Sequence, residues 1–259
     1  MTNIALALIA SVALFLGILV AENVGRRIGL RRAAVAGSAA VAGTGAIDAS
    51  VFALLGLLIA FTFSGAGARF DVRRQLIVEE ANDIGTAYLR LDILPPASQA
   101  VLRESFRDYL DARIATYRKL PDLSAARAEQ ARASDLQAQI WKQAVAATQA
   151  PDAPPSAALL VLPSLNAMFD ITTTRTMATL MHPPLMILGT LIVLTLAASL
   201  LAGYGTAALS AHPRLHMLLF AAVMAVAVYV ILDLEFPRFG LMRVDAFDEA
   251  LVALRETMK

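Results

Sequence analysis

Cysteine is absent from the 259 residues. Its absence excludes disulfides, a lipoprotein anchor, thiolate metal sites and cysteine nucleophiles. Charge is scarce too: Asp, Glu, Lys and Arg make up 17% of the chain, where soluble domains carry about 25%. The formal net charge is +1, so no cationic excess points to nucleic acid. Also missing are a Ser-centred nucleophile elbow and a zinc-binding HExxH, and with them the common hydrolase chemistries. What the chain has in surplus is apolar, with 58% hydrophobic residues against an ordinary 45–50% or so. That excludes disorder and argues against a purely soluble protein.

The apolar residues are gathered into blocks. Residues 4–21, 51–68, 185–204 and 215–232 contain no Asp, Glu, Lys or Arg. Each block has about 18–20 residues, which at about 1.5 Å per residue matches a hydrocarbon core of about 30 Å. Four transmembrane helices are expected. The first has no basic stretch before it and no small-x-small site after it, so it is expected to remain as a span instead of being cleaved as a signal.

Residues 69–175 hold most of the charge, with bases and acids in equal number. The patterning there is helical. Phe70, Ile77, Ala81, Ile84, Tyr88 and Leu91 form one apolar stripe on a helix that continues out of span two. Leu94-Pro95-Pro96 ends it, because proline lacks a donor and crowds the preceding turn. A second helix carries Leu102, Phe106, Leu110, Ile114 and Tyr117 on one face and stops near Pro121. A third begins at Asp122 or Ser124, either of which suits an N-cap, and runs to about 149. After the break at 151–155, a fourth covers about 156–181 and leads through His182-Pro183-Pro184 into span three. The expected fold is all-α. It comprises spans one and two at 1–68, a helical extramembrane domain at 69–182, spans three and four at 183–234, and a tail at 235–259.

Arginines near the membrane edges set sidedness, and here they conflict. Arg26, Arg27, Arg31, Arg32 and Arg214 would lie on one side, and Arg69, Arg73, Arg74, Arg175, Arg238 and Arg243 on the other. Composition leaves the orientation open. His212 and His216 are four apart but straddle Pro213 and have no carboxylate neighbour, so no metal site is expected. Gly43-Thr44-Gly45 follows no strand and reads as a turn. Glu79, Asp83 and Arg90 share a polar stripe with Glu80 adjacent. They read either as ion pairs or, in a symmetric oligomer, as the acidic lining of an ion vestibule. Asp48 and Glu22, at the ends of their spans, are expected at the interface or against protein. No nucleophile, metal set or cofactor loop is visible, so neither an enzyme nor a cofactor is expected.

Residues 54–74 read LLGLLIAFTFSGAGARFDVRR. They resemble the second span of bacterial bestrophins, in which an L-G-L-L-L-A-F run is followed eight residues later by Arg and two Trp. Gly56, Phe61 and Arg69 fall on that pattern, while Phe70 and Asp71 stand where the tryptophans would be. At the other end, Asp233-Leu234-Glu235-Phe236-Pro237-Arg238-Phe239-Gly240 is similar to the acidic Pro-Phe-Gly segment closing the bestrophin fourth span, with one extra residue after the proline. His182-Pro183-Pro184 resembles the proline start of the third span. With EEANDIGTAYLR at 79–90, the whole pattern resembles a bacterial bestrophin-like membrane protein family, remotely similar to bestrophin ion channels. The resemblance implies a homo-oligomer in the bacterial inner membrane, pentameric as in true bestrophins, with the termini and helical region cytoplasmic. It implies an ion channel whose hydrophobic neck is formed by Ala53, Leu57 and Phe61, Ala53 being smaller than the family pattern. It names Gly56, Arg69, Glu235, Pro237 and Gly240 as structural motif residues. Asp245, Asp248 and Glu249 have no counterpart in the calcium clasp of animal bestrophins, and no permeant ion is implied. The alternative is a non-conducting membrane protein whose helical domain uses the 70–91 stripe to bind a partner or ligand.

Overall fold

In a computed structural model of the chain, residues 3–37, 45–209 and 213–258 are described. Among them there is helix and no strand. Eight α-helices follow in order: α1 (Asn3–Ala36), α2 (Gly45–Arg90), α3 (Pro96–Arg118), α4 (Leu123–Thr148), α5 (Ala157–Leu180), α6 (Leu185–Gly205), α7 (Arg214–Glu235) and α8 (Glu249–Thr257). Four of these stretches are long and apolar enough to cross a membrane. They carry the four charge-free runs, with the third run in α6.

Local chemistry explains where the helices end. α2 gives way to a 3-10 turn over Leu91–Ile93, and Pro96 opens α3 at its first position, where a missing N–H costs nothing. Of the two expected caps for α4, Asp122 is the one used. Its Oδ1 accepts from the amides of Ser124 and Ala125, both at 3.0 Å. Pro184 stands just before α6 and Pro213 just before α7.

The chain divides into two compact units, Met1–Ala68 with His182–Leu241, and Arg69–Met181 with Met242–Lys259. In the first unit α1 packs along α6 with almost no space between backbones. A Cβ at Gly25 would lie 1.9 Å from the Leu200 carbonyl oxygen, and one at Gly203 would lie 2.0 Å from that of Glu22. Only glycine permits this approach, which membrane helices use because lipid offers them no hydrophobic drive to associate. Arg26 extends the contact by donating to the Thr206 carbonyl at 2.8 Å. Ser11, Thr195 and Ser199 are buried and turn their hydroxyls onto carbonyls one turn back in their own helices, so these three hydroxyls are satisfied.

The second unit has a conventional core. Ile84, Leu91, Leu102, Phe106, Leu110, Ile140, Leu165 and Met168 are fully or almost fully buried together. Truncating one of them to alanine would cost about 2–5 kcal/mol. Most of the stripe read from sequence is spent on this core: Ala81, Ile84, Tyr88 and Leu91 belong to it, Ile77 is buried, and Phe70 is half-buried. Residues 242–258 belong to the same unit. α8 buries Leu251 completely, sets Leu254 within 3.3 Å of where a Cβ on Gly85 would be, and ties Arg255 to Asp111 at 2.8 and 3.1 Å.

Candidate functional site

Helix α2 positions the residues that the sequence marks out. Three side chains spaced i, i+4, i+8 span only about 80° of a helix. Ala53, Leu57 and Phe61 are all exposed, Leu57 at 51% and Phe61 at 67%. Ser64 and Ala68 continue that face and are exposed as well. The face that α2 buries is the opposite one, at Leu55, Thr62 and Ala66, and Phe52 meets Phe220 of α7 edge-on with ring centroids 6.0 Å apart. Only 11% of the most apolar stretch of α2 is buried, against 22–28% in the other three. Gly56 adds to this open side, for a methyl placed there would meet nothing within 4 Å.

In the second unit the same helical register places Asp71, Gln75, Glu79, Asn82 and Thr86, and all five are exposed. Their spacings of four, four, three and four residues keep them on one face. The acidic candidates then part company. Glu79 lies in this open row and Asp83 is half-buried beside it. Glu80 is completely buried. It accepts a hydrogen bond from Arg113 Nε at 2.6 Å and another from Arg175 Nη1. Arg113 Nη2 also donates to the Tyr117 hydroxyl at 2.8 Å, and the Arg175 guanidinium lies 4.2 Å above the Tyr117 ring. Asp248 approaches Arg175 at 3.8 Å. Burial works against the Arg113 charge, but Tyr117 and Glu80 outweigh it and hold the guanidinium firmly protonated. Burial likewise pushes up the neighbouring Tyr109 phenol, which accepts from the Gln137 amide at 3.2 Å. With two guanidiniums against two carboxylates, the network balances and is a structural clasp. Arg90 is committed elsewhere, donating to the Leu160 carbonyl at 2.7 Å.

The two motif segments at the far side of the sequence meet in the first unit. His182 Nδ1 lies 3.2 Å from Glu235 Oε2, and its ring lies against Phe236 at 4.8 Å. Asp233 folds the chain after α7 back on itself, accepting from the Leu241 amide at 2.9 Å. Gly240 leaves room for this carboxylate, since a Cβ there would displace the Asp233 side chain. Pro237 is buried in this turn and Arg69 is half-buried in its own unit. His216 is exposed at the start of α7, whereas His212, Gly43 and Thr44 lie outside the described residues. Among the described residues no three His, Asp or Glu side chains are grouped to hold a metal ion.

A family described as Bestrophin-like domain matches residues 12–246. The chain belongs to the bestrophin-like family. No curated protein and no solved structure matches it. With four helices able to span a bilayer, it is a membrane protein of that family. The match covers all the bestrophin-like motifs above, from Gly56 to Gly240.

Sequence reasoning missed the roles of three arginines. Arg113 and Arg175 lie 33 and 95 residues from Glu80, and no local spacing links them. Arg73 counted only as a flanking charge, yet it is buried and donates to the carbonyls of Ala178 at 3.0 Å and Met181 at 2.8 Å. It thereby closes the C-terminal end of α5.

Proposed function

We propose that the protein is an oligomeric ion channel lined by α2. Ala53, Leu57 and Phe61 form its hydrophobic neck, and the helical unit, outside the bilayer on the cytoplasmic side, forms its vestibule. The observation that carries this reading is the uncovered face of α2. It is apolar from Ala53 to Phe61, and the same register turns charged and polar at Asp71, Gln75, Glu79, Asn82 and Thr86. A ring of such helices would present a dry constriction followed by a hydrated lining, and apolar constrictions gate by dewetting. Family membership supports a closed ring, with the pentamer of true bestrophins as the nearest guide. The protein acts by conduction, with no chemistry of its own.

Against the binding-module reading, Ala81, Ile84, Tyr88 and Leu91 of the 70–91 stripe are buried in the core of their own unit, while Phe70 is half-buried. The test is ion flux into liposomes containing purified protein, for wild type, Leu57→Ala and Phe61→Ala. Smaller neck side chains widen and wet the constriction, so flux rises above wild type in either variant. No flux above empty liposomes from any of the three, with the oligomer intact, overturns the pore.

A further inference from the structure

Helix α1 is longer than a membrane needs. Its 34 residues extend about 51 Å, whereas about 20 residues cross the hydrocarbon core. The excess is the C-terminal part, and α6 holds it in place. Gly25 approaches Leu200, Gly29 approaches Tyr204 and Ala207, and Arg26 bonds to Thr206. The opposite face is open and carries Val24, Arg27, Ile28, Arg31, Arg32 and Val35, all exposed. It prolongs the outward face of the span itself, where Ile9, Leu16 and Val20 are exposed at the same helical register. Arg27, Arg31 and Arg32 have no acidic partner among the described residues. No Asp or Glu lies between Glu22 and Asp48.

We propose that this face of α1, built from Arg27, Arg31 and Arg32 between Val24, Ile28 and Val35, binds the headgroups of anionic phospholipids. Position supports it first. Arg27, Arg31 and Arg32 lie about 9, 15 and 17 Å along the axis beyond the charge-free run, and the headgroup layer adds about 5–8 Å to each side of the core, so their guanidiniums meet headgroups by reaching back toward the span. Direction supports it next. Cβ atoms tilt toward a helix's N-terminus, which for α1 is toward the span, so the three arginines lean back to the lipid. Long cationic side chains at a helix end settle with their stems on apolar surface and their charge among headgroups. The interleaved aliphatic residues favour lipid over a free anion, since Val24, Ile28 and Val35 offer apolar surface that inorganic phosphate cannot cover. This inference is independent of whether the protein conducts.

The experiment is native mass spectrometry of the full-length protein in detergent, titrated with phosphatidylglycerol or phosphatidylcholine. Each arginine near an anionic surface contributes about a five-fold preference. Wild type should favour phosphatidylglycerol, and R27Q/R31Q/R32Q should lose about a hundred-fold of that preference while unfolding in phosphatidylcholine at the wild-type temperature. Should the triple variant fail to fold, Arg27→Gln and Arg31→Gln carry the test singly, each with a loss of about five-fold. R118Q/R127Q/K142Q removes the same charge from exposed positions of the helical unit and should keep the preference. The proposal is overturned if wild type does not discriminate between the lipids, or if the α1 variants discriminate as well as wild type. It is equally overturned if the charge-matched control loses as much, or if inorganic phosphate displaces the lipid.

Discussion

Glu80 sits between Arg113 and Arg175 with no access to water, and that position fixes what its loss would do. Ion pairs of this kind contribute little net stability when complete, because both charges give up hydration, but removing one partner strands the others and costs about 3–5 kcal/mol. Glu80→Ala is therefore expected to destabilise the helical unit by about that amount. Replacing all three by E80L/R113M/R175M should cost far less, since apolar side chains of similar volume need no compensation and the remaining carboxylate, Asp248, is partly exposed to water. The single tryptophan of the chain, Trp141 of α4, packs against Phe169 with centroids 6.5 Å apart. Its fluorescence during denaturant unfolding reports this unit selectively. Equal losses from the single and triple changes would contradict the clasp. The clasp was hidden in the sequence because ionic partners carry no signature of one another at such separations. Glu80 differs from exposed Glu79 by one position, and only the burial of the surrounding helix face distinguishes them.

At the level of whole helices, much was legible. Proline and capping chemistry act within a few residues, so the stops at Pro95, Pro121 and 151–155 and the start at Asp122 could be read directly. Hydrophobic length marked the four spans for the same reason. The pairing of α1 with α6 could not be read, since a glycine in a helix looks alike whether it faces lipid or another backbone. Gly25 and Gly203 leave no room for a side chain, whereas Gly189 of α6 has nothing within 4 Å of a Cβ. Gly25→Ala and Gly203→Ala should each lower the thermal unfolding temperature in detergent, through overpacking worth about 1–3 kcal/mol or more. Gly189→Ala should be neutral or stabilising, because alanine is the better helix former by about 1 kcal/mol. Similar behaviour of all three would show that the backbones of α1 and α6 are not in contact.

At the scale of the whole molecule the proposed ring can be tested directly, because the lack of cysteine supplies a clean background. A cysteine introduced at Leu57 or Phe61, on the uncovered face of α2, should form disulfides between copies under mild oxidation if α2 lines a common axis. One introduced at Ala66, which is fully buried within its own chain, should not. Cross-linking from Ala66 alone would place the axis elsewhere and remove α2 from the lining. Here the sequence was informative in part. It placed Ala53, Leu57 and Phe61 on one helical face, which the structure leaves exposed, but it gave α8 no role. The α8 contacts reach back to Gly85 and Asp111, beyond any local pattern.

Each unit is assembled from two stretches separated along the chain, and this has a consequence for biosynthesis. A ribosome delivers the N-terminal part first. Leu102, Phe106 and Leu110 are therefore made well before Leu251, with which they share a core. His182 likewise precedes Glu235, its partner, by 53 residues. Neither unit can close until its second stretch has been made. A nascent chain halted after α7 would expose an unfinished core in one unit and lack the Asp233–Leu241 turn in the other. Residues 242–258, which carry α8, thus decide when the helical unit first becomes resistant to proteolysis.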